Sequence, residues 1–533
     1  MHPDAPRRTL IRRTAMAMAV VFVVVLGYQA WRLGAPPDGA KDCSPLAPPP
    51  AAGAQVINDV SCLNPTPVSG IVTVHTEDDI RQALAEARAR GAGISIAGVR
   101  HSQGGQAFAS GNIVLDMRGF NAVEVDIAQQ TIRAQSGATW HDIQKQLHPR
   151  FAVKAMQSTD LFTVGGSISV NAHGMDHRAG SVGRTVRSMR VMLPDGTVRT
   201  VSRSENEELF RLVVGGYGLF GVILDAEIEI ARNVIYQSAR ELMSYADFPA
   251  AFSTRILPDR SYGLLYGHLS TAPSSRFREL LLYTYREVQR PEALIGPLEE
   301  VGSVALRRFV LNFSKLGGPT MRLKWWAEKH IEPRLESCPA GDRDGCLVSR
   351  NDPMHDSVPY LSNRLAGETD ILQEYFVPPD QFVAFVDGLR RISDAHSANV
   401  LNASVRFVPS DDNVLNYAPV DMVAIVLYVN QATTVEGNER MARFTRDLIE
   451  LSIASGGRFF LPYQLHYTAD QLRRAYPEIG GFFAAKRTYD PGELFTNTFY
   501  NKYAPEILGD ERDQAPGRSR TLGSAREAAR AGK

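Results

Sequence analysis

The chain has 533 residues, of which 44% are hydrophobic, and its 58 basic residues balance 58 acidic ones. This length is enough for two or three domains with substantial cores. The zero net charge and the lack of an interleaved basic and aromatic pattern argue against a nucleic-acid partner. The sequence has no internal repeat, and its glycines and prolines are too dispersed for a low-complexity protein.

The N-terminus predicts an anchor or an export signal over residues 1–34. Arg7, Arg8, Arg12 and Arg13 precede an apolar run over residues 15–33, which is near the length that crosses a bilayer. Such arginines stay cytoplasmic, so the main part of the chain is expected on the periplasmic or extracytoplasmic side of an inner membrane, or exported. The Arg7–Arg8 pair also resembles a twin-arginine signal, which would suit a protein exported folded. No small-x-small cleavage site follows the run, and this favours a retained anchor.

The four cysteines agree with an oxidising location. Cys43 and Cys62 flank a Pro/Ala-rich stretch within a linker over residues 35–65, and Cys338 and Cys346 flank a short loop. Two local disulfides, 43–62 and 338–346, are the simplest pairing in an exported chain. The rival interpretation is metal binding, but no histidine lies at ligand spacing beside either pair, so no metal site is predicted.

Residues 66–232 alternate between strands and helices, so an α+β domain is predicted there. A strand and helix over residues 72–92 lead to a strand over residues 94–97 and another over 113–117. The small-residue loop that follows residue 97 contains His101, and Gly98 allows a close approach of the backbone to a ligand. The loop lacks the lysine of a P-loop and the spacing of a dinucleotide fingerprint, and a tight turn between core strands would look similar.

A second informative stretch covers residues 157–174, where small residues dominate from Gly165 to Ser169. Such a segment allows a flat ligand to lie on the backbone, with hydrogen bonds from Ser158, Ser169 and Asn171. The alternative is a tightly packed contact between a helix and a strand, in which the small side chains only permit close approach.

A second domain is predicted over residues 233–480, as an antiparallel sheet with helices on one side. Its clearest helices cover residues 382–397 and 437–455. Residues 299–364 have weak strand signals and one basic, aromatic helix over residues 321–330. That helix contains Trp325 and Trp326; it could lie on a membrane surface, but inward packing is favoured. Residues 506–533 form a polar tail.

Taken together, three motifs resemble those of flavoproteins of the vanillyl-alcohol oxidase and p-cresol methylhydroxylase type. They are the Gly98–Ser102 loop, the stretch from Thr163 to Gly174, and the glycine-rich run from Val214 to Val222. The resemblance implies a bipartite FAD-binding domain of two α+β lobes and a substrate cap formed by an antiparallel sheet with helices. It also implies a return of residues 481–505 to the FAD-binding domain. The sugar-lactone and alditol oxidases and the decaprenylphosphoryl-ribose oxidases are the most similar subgroups.

The resemblance implies a set of FAD-binding positions. They are Ala97, Gly98, Val99, Arg100, His101, Ser102, Gln103, Ser158, Thr163, Val164, Gly165, Gly166, Ser169, Asn171, His173, Gly174, Val222 and Asn497. His101 stands where covalent members bond a histidine to the flavin 8α-methyl group, so a covalent histidyl-FAD is expected; the alternative is a histidine that only lines the flavin edge. A second attachment through cysteine is excluded, because none lies between Cys62 and Cys338.

The substrate end departs from the family pattern. Arg406 is kept on the cap strand, but Ser404 replaces the glutamate of lactone and alditol oxidases, and Tyr463 takes the position of a family lysine. Arg406 is expected to stabilise the reduced flavin anion, and Tyr463 and Glu374 are the candidate proton acceptors. Tyr463 could equally only shape the pocket.

The expected function is therefore an FAD-dependent oxidoreductase acting on a CH–OH carbon of a sugar, polyol or lactone-like substrate by hydride transfer to the flavin. Electrons would pass to O2 or to a membrane quinone or cytochrome. The alternative is a non-catalytic flavoprotein or envelope scaffold that has lost the chemistry, because the family's glutamate and lysine are replaced.

Overall fold

The computed structural model describes residues 27–29, 31–36, 55–331, 346–362 and 365–509. Residues 27–29 and 31–34 are helical, but most of the predicted anchor over residues 15–33 lies outside the described part of the chain. Among the residues that are described, none of the helices combines the length and the hydropathy needed to cross a bilayer.

The described strands, in chain order, have the following bounds. They are β1 (Gln55–Ile57), β2 (Thr66–Val68), β3 (Gly70–Thr73), β4 (Ile94–Ala97), β5 (Ile113–Asp116), β6 (Val123–Asp126), β7 (Thr131–Gln135), β8 (Phe151–Val153), β9 (Val186–Met192), β10 (Val198–Ser202), β11 (Val222–Arg232), β12 (Ile235–Ser244), β13 (Tyr262–Leu269), β14 (Glu279–Glu287), β15 (Leu347–Ser349), β16 (Glu368–Val377), β17 (Asn399–Val408), β18 (Met422–Ala432) and β19 (Arg458–Phe459).

The α-helices follow the same order. They are α1 (Glu77–Arg90), α2 (Trp140–Leu147), α3 (Val164–Ser169), α4 (Glu207–Val213), α5 (Phe248–Ala251), α6 (Val304–Ser314), α7 (Gly318–His330), α8 (Phe382–Ala395), α9 (Val435–Ala454), α10 (Ala469–Ala475), α11 (Ile479–Tyr489) and α12 (Thr498–Leu508).

The first sheet is parallel and three-stranded, in the order β3-β5-β4. Helix α1 connects β3 to β4, and it begins with a capping box in which Thr76 and Asp79 satisfy each other's backbone N–H groups. The C-terminal part of the chain returns to this sheet, because Phe495 bridges Ile94 in parallel. The backbone N–H of Ile94 donates to Leu494 at 2.6 Å, and that of Thr496 donates to Ile94 at 2.9 Å.

The second and third sheets are antiparallel. The second has the order β10-β9-β11-β7-β6, with β8 paired to the far end of β11. The third has eight strands in the order β15-β12-β14-β13-β17-β18-β16-β19. Helices α8 and α9 pack together, and α9 also packs on β16 and β18. One contiguous apolar core joins the second and third sheets.

The α+β class predicted from the sequence is confirmed, whereas the prediction for residues 299–364 is incomplete. That segment contains helix α6, which the sequence analysis missed because the helix buries Arg308, Asn312 and Ser314 rather than a stripe of apolar residues. Of the tryptophan pair in α7, Trp325 is buried and Trp326 is exposed, so inward packing holds for only one of them. The domain boundaries themselves stay a prediction.

Cys62 and Cys346 are disulfide-bonded. Cys43 and Cys338, their predicted partners, lie outside the described residues. The pairing of the four cysteines therefore also stays a prediction.

Candidate active site

A cavity of about 1180 Å³ lies where the three sheets meet. The loop after β4, the segment that contains α3 and the glycine-rich run before β11 form one side of it. Strands β16 and β17 and the residues after β19 form the opposite side, and helices α6 and α7 form its outer part. A concave site of this size, with polar groups on opposite walls, is the kind of cavity that binds a large organic ligand.

The loop after β4 is held by the segment that contains Tyr463. The N–H of Gln103 donates to the carbonyl of Pro462 at 2.7 Å, and the side chain of Gln106 donates to the carbonyls of Leu461 and Tyr463 at 2.7 and 2.9 Å. The Gln103 side chain accepts the N–H of Leu372 on β16 at 2.7 Å. These bonds fix the His101 loop relative to both strand β16 and Tyr463.

His101 faces the cavity from this loop, and its ring packs edge-on to Phe162 with centroids 5.1 Å apart. Burial lowers the pKa of His101 to about 4, because the imidazolium loses its hydration. The ring is therefore neutral at physiological pH. A neutral imidazole retains a nitrogen lone pair and can act as a nucleophile.

The glycines at the cavity wall permit close packing between backbone segments. A Cβ atom at Gly98 would overlap the Oγ1 atom of Thr163, and one at Gly165 would lie 2.6 Å from the Cβ of Ser136. Both glycines also line the cavity. Gly165 therefore packs against Ser136 and also contributes to the cavity wall, and the contact of this stretch with a flat ligand stays a prediction.

Eleven of the predicted FAD-binding residues line the cavity. They are Gly98, Val99, Arg100, His101, Ser102, Ser158, Thr163, Gly165, Gly166, Ser169 and His173. The other seven are not at its surface: Ala97, Gln103, Val164, Asn171, Gly174, Val222 and Asn497. These seven instead support the wall. Asn171, for example, donates to Asp411 at 2.8 Å and accepts from the N–H of Gly183 at 3.0 Å.

Sequence reasoning missed several residues of the cavity wall. Ser136, Gln157, Phe162, Tyr217 and Gly218 all line it. Tyr217 and Gly218 belong to the glycine-rich run that carried part of the resemblance, and both have positive φ angles, 53° and 71°. That run was therefore a usable signal, whereas Ser136, directly after β7, belongs to no recognisable motif.

The three predicted catalytic residues meet at one end of the cavity. Glu374 lies on β16, Arg406 on β17 and Tyr463 after β19, and all three line the wall. The Nε2 atom of His173 lies 2.6 Å from Oε1 of Glu374, and both side chains are almost fully buried. The hydroxyl of Tyr463 donates to Oε2 of Glu374 at 3.4 Å. The structure thus adds His173 to this group as a direct partner of Glu374.

The local electrostatics distinguish the members of this group. Burial raises the pKa of Tyr463 well above its usual value, the Glu374 carboxylate raises it further, and Arg406 only partly opposes them. Burial lowers the pKa of Arg406, while Glu374 is the largest influence that favours its cationic form. Tyr463 therefore stays protonated and acts as a hydrogen-bond donor, which argues against its role as a base.

The outer part of the cavity contains a second polar group, which the sequence analysis did not identify. Lys324 and Glu328 of α7 pair at 2.7 Å, and both line the wall beside Asn402 of β17. Within the described part of the chain, the buried atoms Oε2 of Glu328 and Nε2 of the nearby His268 have no hydrogen-bond partner. These residues come from separate elements with no shared motif, so only the tertiary structure brings them together.

His141, Asp160 and His355 form a separate cluster whose possible ligand atoms lie within 4.8 Å of one another. Nδ1 of each histidine lies 2.9 Å from the same oxygen of Asp160, and Ser357 donates to the other oxygen at 2.6 Å. The sequence prediction of no metal site considered only the cysteine pairs. This cluster connects α2 to residues 355–357 through hydrogen bonds.

The residues of the inner cavity fit FAD. Ser136 Oγ, Ser158 Oγ, His173 Nδ1 and Arg406 Nε are buried and have no hydrogen-bond partner among the described residues, although their residues all line the cavity. Buried polar atoms are normally hydrogen-bonded, so these atoms indicate a polar ligand. Gly98, Gly165 and Gly166 line the cavity, so a ligand can lie close to their backbone. A cofactor cavity that also contains a buried carboxylate–histidine pair is typical of a redox enzyme.

Comparison with known proteins agrees with this class. A family profile described as an FAD binding domain matches residues 68–202. The decaprenylphosphoryl-beta-D-ribose oxidase of Mycolicibacterium smegmatis is 33% identical over 464 residues, which cover 81% of this chain and 94% of that protein. An uncharacterized oxidoreductase of the Rhodococcoides fascians fasciation locus is 35% identical over 47% of this chain and 57% of its own length. Mouse L-gulonolactone oxidase is 26% identical over 28% of this chain and 34% of that protein.

The chain therefore belongs to the FAD-binding oxidoreductases of the vanillyl-alcohol oxidase and p-cresol methylhydroxylase family. It is an enzyme, and its relatives are FAD-linked oxidoreductases or dehydrogenases. The family named from the three sequence motifs is confirmed, and the alternative of a non-catalytic scaffold loses its support.

Proposed function

We propose that this enzyme oxidises a CH–OH carbon of a sugar, polyol or lactone-like compound. The observation that carries the proposal is the buried Glu374–His173 pair, with Arg406 and Tyr463 beside it, in the same cavity as the His101 loop. Bound FAD would accept the hydride from the substrate carbon. Two relatives bear names that refer to sugar-derived substrates, decaprenylphosphoryl-ribose and L-gulonolactone, which supports this substrate class.

The proton of the substrate hydroxyl requires an acceptor, and we assign that role to Glu374. Its carboxylate accepts from Tyr463, and His173 lies at hydrogen-bond distance from its other oxygen. These two contacts fix the orientation of the Glu374 carboxylate. In this arrangement Tyr463 is a hydrogen-bond donor rather than a base. Arg406 provides a buried positive charge on the same wall, which would stabilise negative charge as it develops during oxidation.

We further propose that the cofactor is attached through His101. The support is the neutral, cavity-lining imidazole in the position where covalent relatives carry their histidine. The new bond from a ring nitrogen would replace a C–H bond of the 8α-methyl group; the protons would leave to solvent, and the electron pair would reduce the flavin, which the enzyme's electron acceptor would reoxidise. Such a bond would keep the cofactor with the protein.

The enzyme would pass its electrons to O2 or to a membrane quinone or cytochrome, from a location outside the cytoplasm. The basic and apolar N-terminal sequence supports an anchored or exported protein. The disulfide bonds of Cys62 and Cys346 support an oxidising compartment.

An anaerobic substrate panel tests the proposed reaction. Purified full-length enzyme would be mixed with sugars, polyols and lactones, with the Glu374→Gln variant as the control. We expect at least one compound to bleach the yellow flavin absorption of the wild type rapidly and that of the variant slowly. Failure of every CH–OH compound, together with bleaching by another substrate class, would overturn the proposal.

A further inference from the structure

Helix α6 has an unusual distribution of side chains. Its fully buried residues are polar, Arg308, Asn312 and Ser314, whereas Leu306 is 56% exposed and Phe309 and Phe313 are only half-buried. A helix at the surface of a protein in water normally buries its apolar face and exposes its polar one. The reversed arrangement indicates that the outer face of α6 contacts something apolar.

The neighbouring helix α7 extends this apolar surface. Leu323 and Trp326, three residues apart on one face, are 53% and 49% exposed, and Leu316 and Ile331 at the two ends of α7 are also exposed. Eight of the eighteen large apolar side chains that are exposed in the described chain lie in the short segments 28–31 and 294–331. This concentration is far above the scattered exposure that ordinary surfaces show.

The cavity opens beside this surface, because Leu306, Arg307 and Ile331 are exposed and also line the cavity. Leu306, Arg307 and Val310 of α6 line the cavity, as do Ala327 and Glu328 of α7. On α7 the cavity-lining residues and the exposed residues occupy adjacent helical faces. Whatever covers the apolar surface must therefore also lie beside the entrance to the cavity.

The end of the N-terminal apolar run is fixed to the same place. The side chain of Asn312 donates to the carbonyl of Leu33 at 2.8 Å, and Arg308 donates to that of Gly34 at 3.1 Å. The polar residues that α6 buries thus hold the point at which the run over residues 15–33 ends. Tyr28 and Trp31, both exposed, precede it, and such aromatic residues are enriched at membrane interfaces.

The charge of the region matches an anionic lipid surface. Residues 301–327 contain five basic residues and no acidic one, but Arg308, Lys315 and Lys324 are buried or held in ion pairs. Arg307 and Arg322 are exposed beside the apolar side chains. An apolar face flanked by basic residues is the pattern of an element that lies in the interfacial layer of a membrane.

We propose that the exposed face of α6 and α7 docks on an anionic lipid bilayer, so that the cavity mouth opens at the membrane. The N-terminal run reaches the bilayer from the same side of the molecule. This inference rests on the extracytoplasmic or membrane location proposed above, but not on the identity of the substrate.

Quenching by brominated lipids tests this surface in the full-length enzyme. Vesicles of phosphatidylcholine and phosphatidylglycerol, with or without bromine on their acyl chains, would be compared for the wild type, Trp326→Phe and Trp325→Phe. Trp31 and Trp326 are the exposed tryptophans, whereas Trp140 and Trp325 are buried, so Trp326→Phe should reduce the quenched emission by about two-fold. The matched neighbour Trp325→Phe should leave it unchanged.

Leu323→Glu provides an independent variant on the same exposed face, and it should also reduce quenching of Trp326. Equal quenching of the wild type and Trp326→Phe would overturn the proposal. So would the absence of quenching together with a doubled mass in solution, since a second copy would then cover the surface. The flavin content of each variant, measured in parallel, separates these outcomes from misfolding and from failure of the proposed reaction.

Discussion

Replacing Glu374 with glutamine tests the assignment of the proton acceptor. The substitution preserves the size of the side chain, and its single amide oxygen can stay near Nε2 of His173, which lies 2.6 Å from Glu374 in the structure. The amide NH2 group then faces the hydroxyl of Tyr463, which can accept a hydrogen bond from it. What the substitution removes is the negative charge and the capacity to take up a proton, so the fold and the cofactor cavity are expected to persist.

A positioned general base typically accelerates a reaction by about 10²–10⁴-fold. At about 1.4 kcal/mol for each factor of ten, its loss raises the barrier by about 3–5 kcal/mol. Tyr463→Phe removes a single hydrogen bond, which is long at 3.4 Å. Because a hydrogen bond to a charged group contributes about 1.5–3 kcal/mol and this one is long, we expect about a tenfold loss of rate.

The assay is anaerobic stopped-flow absorbance, in which the flavin band is followed after mixing with a substrate from the panel. Glu374→Gln should be slower than Tyr463→Phe by at least about tenfold at saturating substrate. Equal flavin content and an unchanged circular-dichroism spectrum provide the controls. A Glu374→Gln enzyme that reduces its flavin at the wild-type rate, or a Tyr463→Phe enzyme that is the slower of the two, would refute the assignment.

Two further predictions follow from buried histidines. After acid precipitation, flavin should stay with the wild-type protein and appear in the supernatant of His101→Ala; release from both would contradict covalent attachment. Burial lowers the pKa of His177 to about 4. In the unfolded chain this histidine has a pKa near 6.5, so it takes up a proton that it does not take up in the folded protein. The free energy of unfolding therefore decreases as the pH falls. The loss should be about 2 kcal/mol smaller in His177→Gln between pH ~7 and ~5. Chemical denaturation at both pH values measures this, with the exposed His330→Gln as the control, and equal losses in both variants would contradict the reasoning.

The cofactor side of the site could be predicted from the sequence because its signals are local. A strand, a small-residue loop and a histidine lie within a dozen residues, and the Gly165–Ser169 stretch is similarly compact. Close approach of backbone segments restricts side-chain size at such positions, as the Gly98–Thr163 contact shows. The small residues at these positions therefore make the cavity wall predictable from the sequence.

The substrate side was only partly predictable because its residues converge from distant elements. Glu374, Arg406 and Tyr463 could be named from the resemblance, but nothing near residue 374 in the sequence indicates that His173 lies 201 positions away and 2.6 Å from it. The outer group of Lys324, Glu328 and Asn402 had no motif at all. Helix α6 was missed because the usual periodicity test looks for a helix that buries its apolar residues and exposes its polar ones to water. This helix instead buries polar residues and presents apolar ones outwards.

The ratio of flavin to protein in Gly98→Ala tests the central claim, that this cavity is the FAD site. The added methyl group would overlap Thr163, so the loop or α3 must shift and distort the cavity wall. Overpacking of this kind costs about 1–3 kcal/mol, which weakens the initial binding of FAD by about tenfold or more, so fewer molecules should take up flavin. Gly480→Ala, with no atom within 4 Å of the new methyl group, should keep the wild-type ratio. A folded Gly98→Ala protein with full flavin content would contradict the account.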